Sequence, residues 1–114
     1  YERPNGHNEF IEFFEQLPEK DQKKMLAVIA NVEEHGILIA QKMKWVKKLG
    51  DNLFELRSGI GGNIQRALYF HWLGSKFIIT HGFTKKTQKT PIQEIAKAIE
   101  IRKEFEEEIK DANS

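Results

Sequence analysis

The sequence predicts an α+β fold: an N-terminal helical hairpin, a three- to four-stranded, mainly antiparallel sheet, and a C-terminal helix. Three observations carry this expectation. Apolar residues recur at helical spacing from Phe10 to Val32. Between Leu53 and Phe83 the pattern switches to alternation broken by short glycine-bearing turns. Beyond Pro91 the helical spacing returns. With 114 residues, one domain spanning 1–114 can build one core and not two.

Asn8 is placed to cap a first helix, Glu9 suits its positive end, and Phe10, Phe13, Phe14 and Leu17 form its stripe before Pro18 stops it. A second helix is expected from about Glu19 to His35, with Met25, Val28, Ile29 and Val32 inward and Gly36 as its stop. Two helices joined through a proline predict an antiparallel hairpin. Residues 37–49 mix Leu38, Ile39, Met43 and Val46 with Lys42, Lys44, Lys47 and Lys48, which fits a short helical or irregular crossover.

Leu53 to Arg57 alternates, with Phe54 and Leu56 on one face and Glu55 and Arg57 on the other. Ser58 to Asn63 is a glycine-rich loop. It lacks the lysine of a phosphate-cradling P-loop and no helix pattern follows, so a hairpin connection is the better reading. Strands are expected over 64–72 and 77–83, turning at Gly74-Ser75, which completes an antiparallel meander. Thr90 and Pro91 then open the last helix. Its stripe of Ile92, Ile95, Ala96 and Ile99 is expected on the sheet, with Ile101, Phe105 and Ile109 rotated away as spare apolar surface.

Composition narrows the function. There is no cysteine, so a disulfide framework and a thiolate zinc site are excluded. No run is apolar enough to cross a bilayer, and the N-terminus lacks a signal-peptide pattern, so a cytoplasmic protein without a membrane is expected. The chain opens on Tyr1 rather than methionine, which leaves room for native residues, a first strand among them, ahead of it. The net charge of +1 hides a strong asymmetry. Residues 1–39 hold four Lys/Arg against eight Asp/Glu, residues 40–91 ten against two, and residues 92–114 four against seven. A basic centre between acidic ends points to a phosphate-bearing partner.

The densest part of that centre is His81-Gly-Phe-Thr-Lys-Lys-Thr-Gln-Lys-Thr-Pro91, with no acidic residue between Glu55 and Glu94. Alone it reads as a solvated lysine turn. With Arg57, Arg66, Lys47 and Lys48 brought near it by a sheet, it reads as a phosphate site. The four histidines have no metal-ligand spacing, and carboxylates are sparse here, so metal-dependent nuclease and glycosidase chemistry are disfavoured and no cofactor is expected. What remains is a set of cations, groups of the kind that a metal-free RNA cleavage would use. One group withdraws the 2′-hydroxyl proton, another protonates the leaving 5′-oxygen, and guanidinium groups hold the extra charge at phosphorus. Arg57, Arg66, Lys85 and Lys86 are the candidate catalytic residues, Lys47, Lys48 and Lys89 the candidate RNA contacts, and His71 and His81 further acid/base candidates. Phosphate binding without catalysis needs only the cations.

Two helices followed by Lys48-Leu49, Leu53-Phe-Glu-Leu-Arg57, Arg66-Ala-Leu-Tyr-Phe70, Ile79-Thr-His-Gly-Phe83 and Lys85-Lys-Thr-Gln-Lys-Thr-Pro91 resemble the HigB-like, phage-derived branch of the RelE/ParE toxin superfamily. The likeness is collinear over nearly the whole chain. It implies a compact RelE-like domain, the toxin of a bacterial type II toxin–antitoxin pair, that cuts mRNA in the ribosomal A site and forms a hetero-oligomer with a cognate antitoxin. By position, Arg66 matches the arginine such toxins set on the phosphate, Lys86 the basic residue after the last meander strand, and Arg57 the basic end of the preceding strand. The chain departs from RelE where that protein carries two alternating lysines, here Leu53 and Glu55, and where it has a tyrosine beyond the last strand, here Thr87, Gln88 and Thr90. These departures keep open a non-enzymatic reading in the manner of ParE proteins, which bind DNA gyrase, or a plain RNA-binding module.

Overall fold

The structure, a computed structural model, describes residues 1–60, 63–73, 76–85 and 89–112. Helix α1 (Glu9–Glu15) begins where Asn8 Oδ1 accepts the Ile11 N–H at 3.0 Å, with Glu9 and Glu12 in the first turn. The turn into α2 (Glu19–Lys42) is tied by the Gln22 side-chain amide, which donates to the Phe14 and Leu17 carbonyls at 3.1 Å each. The helical hairpin is thus as the sequence predicts, and so is the break at Gly36, although a second helical segment follows within α2. Gly36 leaves helical geometry (φ 82°, ψ 173°) and the helix resumes to Lys42. The resumed segment buries Ala40 completely and packs Ile37 on the core.

The second segment ends in a Schellman turn. Lys44 is left-handed (φ 63°), the Trp45 N–H reaches the Ala40 carbonyl at 2.9 Å, and the Lys44 N–H reaches that of Gln41 at 3.1 Å. A lysine holds the position that glycine usually takes, so the signal is invisible in the sequence. The first part of the expected crossover is helical, as one of its two readings had it, and its second part is instead a strand, β1 (Val46–Gly50). Only Val46 is buried, and Lys47 and Lys48 are both exposed, as suits an edge strand protected by charge.

Strands β2 (Leu53–Ile60), β3 (Asn63–Trp72) and β4 (Lys76–Lys85) complete a four-stranded antiparallel sheet in the order β1-β2-β3-β4. The β2–β3 pairing extends from Phe54↔Tyr69 to Ile60↔Asn63, so the strands occupy most of the predicted glycine-rich loop, of which residues 61–62 lie outside the described part. Strand β4 likewise runs past Phe83 because Thr84 and Lys85 pair with Gln65 and Ile64. Lys85 therefore ends a strand rather than sitting in a loop.

Alternation assigns the two faces. Phe54, Leu56, Ala67 and Tyr69 meet α1 and α2 with Met25, Val28 and Val32. Leu53 and Leu68 meet α3 (Ile92–Ala112) through Ala98. On α3 the expectation holds for Ile95, which packs against Leu53, Leu68 and Ala98, and is reversed for the rest. Ala98, Ile101 and Phe105 are buried, whereas Ile92 is 76% exposed and Ile99 45%. The sheet takes the stripe continuing 94, 98, 101 and 105, which places Glu94 at its near end. The same α3 is strapped by the N-terminal segment: Arg3 bridges Glu9 at 2.9 Å and Glu104 at 2.5 Å, and the Tyr1 ring meets Phe105 edge-on at 5.4 Å. Among the described residues no helix is long and apolar enough to cross a membrane.

Candidate functional site

On the α3 side of the sheet, the end nearest residue 90 is polar where the rest is apolar. Period-two alternation puts Glu55 and Arg57 of β2 on this face, and the pairings Arg57↔Arg66 and Ile64↔Lys85 bring in β3 and β4. Lys47 joins from β1 by pairing with Glu55. Four strands thus deliver to one patch residues that are spread over nearly forty positions of sequence.

At the centre lies Glu55, 0% exposed. Its Oε1 accepts from Arg66 Nη1 and from Arg57 Nε at 3.1 Å, while its Oε2 accepts the Thr90 hydroxyl. Lys85 Nζ donates to Thr90 Oγ1 at 3.4 Å. Thr90 therefore does not cap α3 with its side chain as the sequence predicts. Its hydroxyl is committed to Glu55, and the first turn of α3 closes through the Pro91 carbonyl, which accepts from Ile95 N–H at 3.3 Å. Burial pushes the Glu55 carboxyl up, but the Thr90, Arg66 and Arg57 donors outweigh it and leave its pKa below the usual carboxylate range. Lys85 is pushed down, chiefly by burial and then by Arg66, Arg57 and Lys47, against the opposing pull of Glu55. Three cations on one carboxylate leave an excess of positive charge, which is the electrostatic condition for binding an anion.

The sequence-predicted residues separate clearly. Arg57, Arg66, Lys85 and Lys47 converge on Glu55. Arg66 and Lys85 are only 1% and 5% exposed, so Arg57, Lys47 and Lys48 present the charge to solvent. Lys89 is exposed beside Thr90. Lys86 lies outside the described residues, as do Thr87 and Gln88. His71 is on the opposite face, stacked on Phe54 at 4.8 Å. His81 shares the Glu55 face but sits beneath α3, its Nδ1 3.1 Å from Thr80 Oγ1 and its Nε2 3.3 Å from Glu94 Oε2. Burial, helped by Lys97 and opposed by the pull of Glu9, pushes this imidazole down to about 4, which favours the neutral ring.

Two depressions flank the cluster. A cleft of about 520 Å³ opens between α2 and the end of β2, lined by Lys24, Asn31, Lys44, Trp45 and Ser58 among others, and reaching Arg57 and Arg66. A shallower one of about 440 Å³ follows the β1 edge past Lys44, Lys47, Lys48 and Arg57. Among the described residues no group of three or more His, Cys, Asp or Glu is arranged to hold a metal ion. Sequence reasoning missed Glu55 as a member of the site, and Thr90, Trp45 and Ser58 with it. The available signal for Glu55 was its solitude, the one acid between Asp51 and Glu94, two positions from Arg57 and so on its face.

Residues 12–103 match a family model described as phage derived protein Gp49-like (DUF891). No curated protein matches the chain.

Proposed function

The chain belongs to the phage derived protein Gp49-like family, and from the resemblance of its motifs and the Glu55-centred cations we propose that it is the toxin of a type II toxin–antitoxin system. In this reading it is a HigB-like member of the RelE/ParE superfamily that cuts mRNA in the ribosomal A site. Its element order, a helical hairpin, an antiparallel meander and a closing helix, supports a RelE-like domain. The observation that carries the reading is the excess of cations around one buried carboxylate, at a sheet end bordered by exposed lysines.

The chemistry follows from that arrangement. Arg57, oriented by Glu55, binds the scissile phosphate and offsets the charge that grows on it as the 2′-oxygen attacks. Arg66, buried behind Arg57 on Glu55, adds its positive charge to the same site. Lys85, its pKa pushed down by burial and the neighbouring cations, is the proton-transfer group inside the cluster, and Lys47 is the exposed ammonium opposite Glu55. Leu53, one of the two positions where RelE carries a lysine, is buried under α3, and Glu55, the other, organises the arginines. Cationic chemistry is thereby moved one step along the strands. The cognate antitoxin, as partner, places acidic residues against Arg57 and the β1 lysines.

Primer-extension mapping of mRNA during induced expression tests this. Codon-phased cuts are expected that fall by at least about a hundredfold in Arg57→Ala and Arg66→Ala, the scale of losing one preorganised donor. Growth arrest with intact mRNA and inhibited gyrase would overturn the reading in favour of a ParE-like toxin.

A further inference from the structure

We propose that the cleft between α2 and the end of β2 is a nucleobase pocket, which takes one base of single-stranded RNA against Trp45, Asn31 and Ser58 and sets its phosphate toward Lys44 and Arg57. The ligand class rests on the RNA-cleavage reading, while the pocket rests on its own observations. Its volume, about 520 Å³, lies in the range of roughly 300–1,000 Å³ typical of small-ligand sites.

The space exists because β1 stops short. The Val46↔Leu56 pairing and the bond from Arg57 N–H to the Trp45 carbonyl, 2.8 Å, are the last links between the two segments. Beyond them Ser58 and Gly59 of β2 pair with β3 on one edge and have no β1 partner on the other, and Gly59 adds no side chain to fill the gap. Ala27 and Val28 of α2 form an apolar wall. Trp45 is fixed by the Schellman turn and by the His35 ring at 5.9 Å, yet remains half-exposed. An aromatic face held open beside an apolar wall is what an unstacked base requires.

Ser58 supplies the independent sign of a ligand. It is two positions from Leu56 and so on the α2 side of the sheet, it is 2% exposed, and its hydroxyl has no hydrogen-bond partner. A buried hydroxyl left unpaired costs free energy that a ligand edge recovers. Asn31 adds an amide with both donors and an acceptor, enough to read a base edge. The charged residues lining the cleft, Lys24, Lys44, Arg57 and Arg66, are all cations, and the arginines make it continuous with the Glu55 cluster. One water would satisfy Ser58 but would use neither the tryptophan face nor the cations.

The test uses the intact chain carrying Trp72→Phe, which leaves Trp45 as its one tryptophan. The four ribonucleoside 5′-monophosphates are titrated against its fluorescence, with ribose 5-phosphate as the control for phosphate alone. At least one nucleotide is expected to quench Trp45 saturably and to bind roughly tenfold more tightly than ribose 5-phosphate, as stacking predicts. Ser58→Ala and Asn31→Ala should weaken the nucleotide severalfold and leave ribose 5-phosphate unchanged, with circular dichroism confirming that each variant is folded. Equal binding of nucleotides and ribose 5-phosphate, or unchanged nucleotide affinity in both variants, overturns the pocket and leaves only water in it. The two readings fail separately. Nucleotide binding with uncut mRNA sinks the nuclease alone, whereas cleavage at unchanged positions in Ser58→Ala and Asn31→Ala, with unchanged nucleotide affinity, sinks the pocket alone.

Discussion

Glu55 and His81 lie on one face of the sheet, two strands apart on either side of Leu68, and burial acts on them in opposite ways. Glu55 keeps its charge because Arg57, Arg66 and Thr90 surround it with donors. His81 has Thr80 and one half-buried carboxylate nearby, and stays neutral. Its folded pKa, about 4, stands below the unfolded value of 6.5. Above 6.5 both states are neutral and the ring adds no pH dependence. As pH falls from 6.5 to 4 the unfolded state takes up the proton first, so stability is lost over that window, by about 3 kcal/mol at most. Urea denaturation between pH 4 and 7 should show this slope, and His81→Asn should flatten it; an unchanged slope would mean that other groups cause it. Glu55 acts lower, since its lowered pKa makes its contribution present above the ordinary carboxylate value and lost on further acidification.

At the scale of elements, the strand faces are set by alternation and the ends by contacts that alternation does not contain. The seat of α1 on β4 shows this. A Cβ built on Gly82 would stand 2.3 Å from the Phe13 ring, so the helix approaches as closely as a bare backbone allows. Gly82→Ala should therefore cost about 1–3 kcal/mol as the Phe13 ring is displaced, read as a lowered denaturation midpoint with unchanged slope. A neutral result would show that α1 can lift at no cost. The ends of α2 and β1 have the same logic. The lysine in the Schellman turn and the edge strand with two exposed lysines are stabilised by pairing with Ala40, Gln41 and β2, not by their own propensity.

For the whole molecule, the charge asymmetry of the sequence becomes geometry. The meander gathers Lys47, Arg57, Arg66 and Lys85 at one end of the sheet, while the acidic residues Glu9, Glu94 and Glu104 lie under or beside α3 in contact with Arg3, Lys97 and His81. If the basic end meets RNA, the logarithm of the ribosome- or RNA-binding constant should fall linearly with that of salt, by about 0.7 per phosphate neutralised on a single strand. Lys47→Ala and Lys48→Ala should each reduce that slope, as measured by filter binding at several salt concentrations. A flat response would point to a protein target instead.

By itself the sequence determined the architecture: the helical hairpin, the antiparallel meander, the closing helix and the basic centre. These follow from periodicity, punctuation and charge, which are local properties. Resemblance and charge likewise singled out Arg57, Arg66 and Lys85 one by one. Only the tertiary structure decided that β1 is a strand and that α3 turns Ala98, Ile101 and Phe105 to the sheet rather than Ile92 and Ile99. It also decided that Glu55 stands at the centre of the cations and that Ser58 and Trp45 share a cleft. The reason is register. A strand's own residues fix which face each side chain takes, but which residue lies opposite is set by pairing across strands, and a buried carboxylate becomes an organiser only when its neighbours in space, not in sequence, are cations.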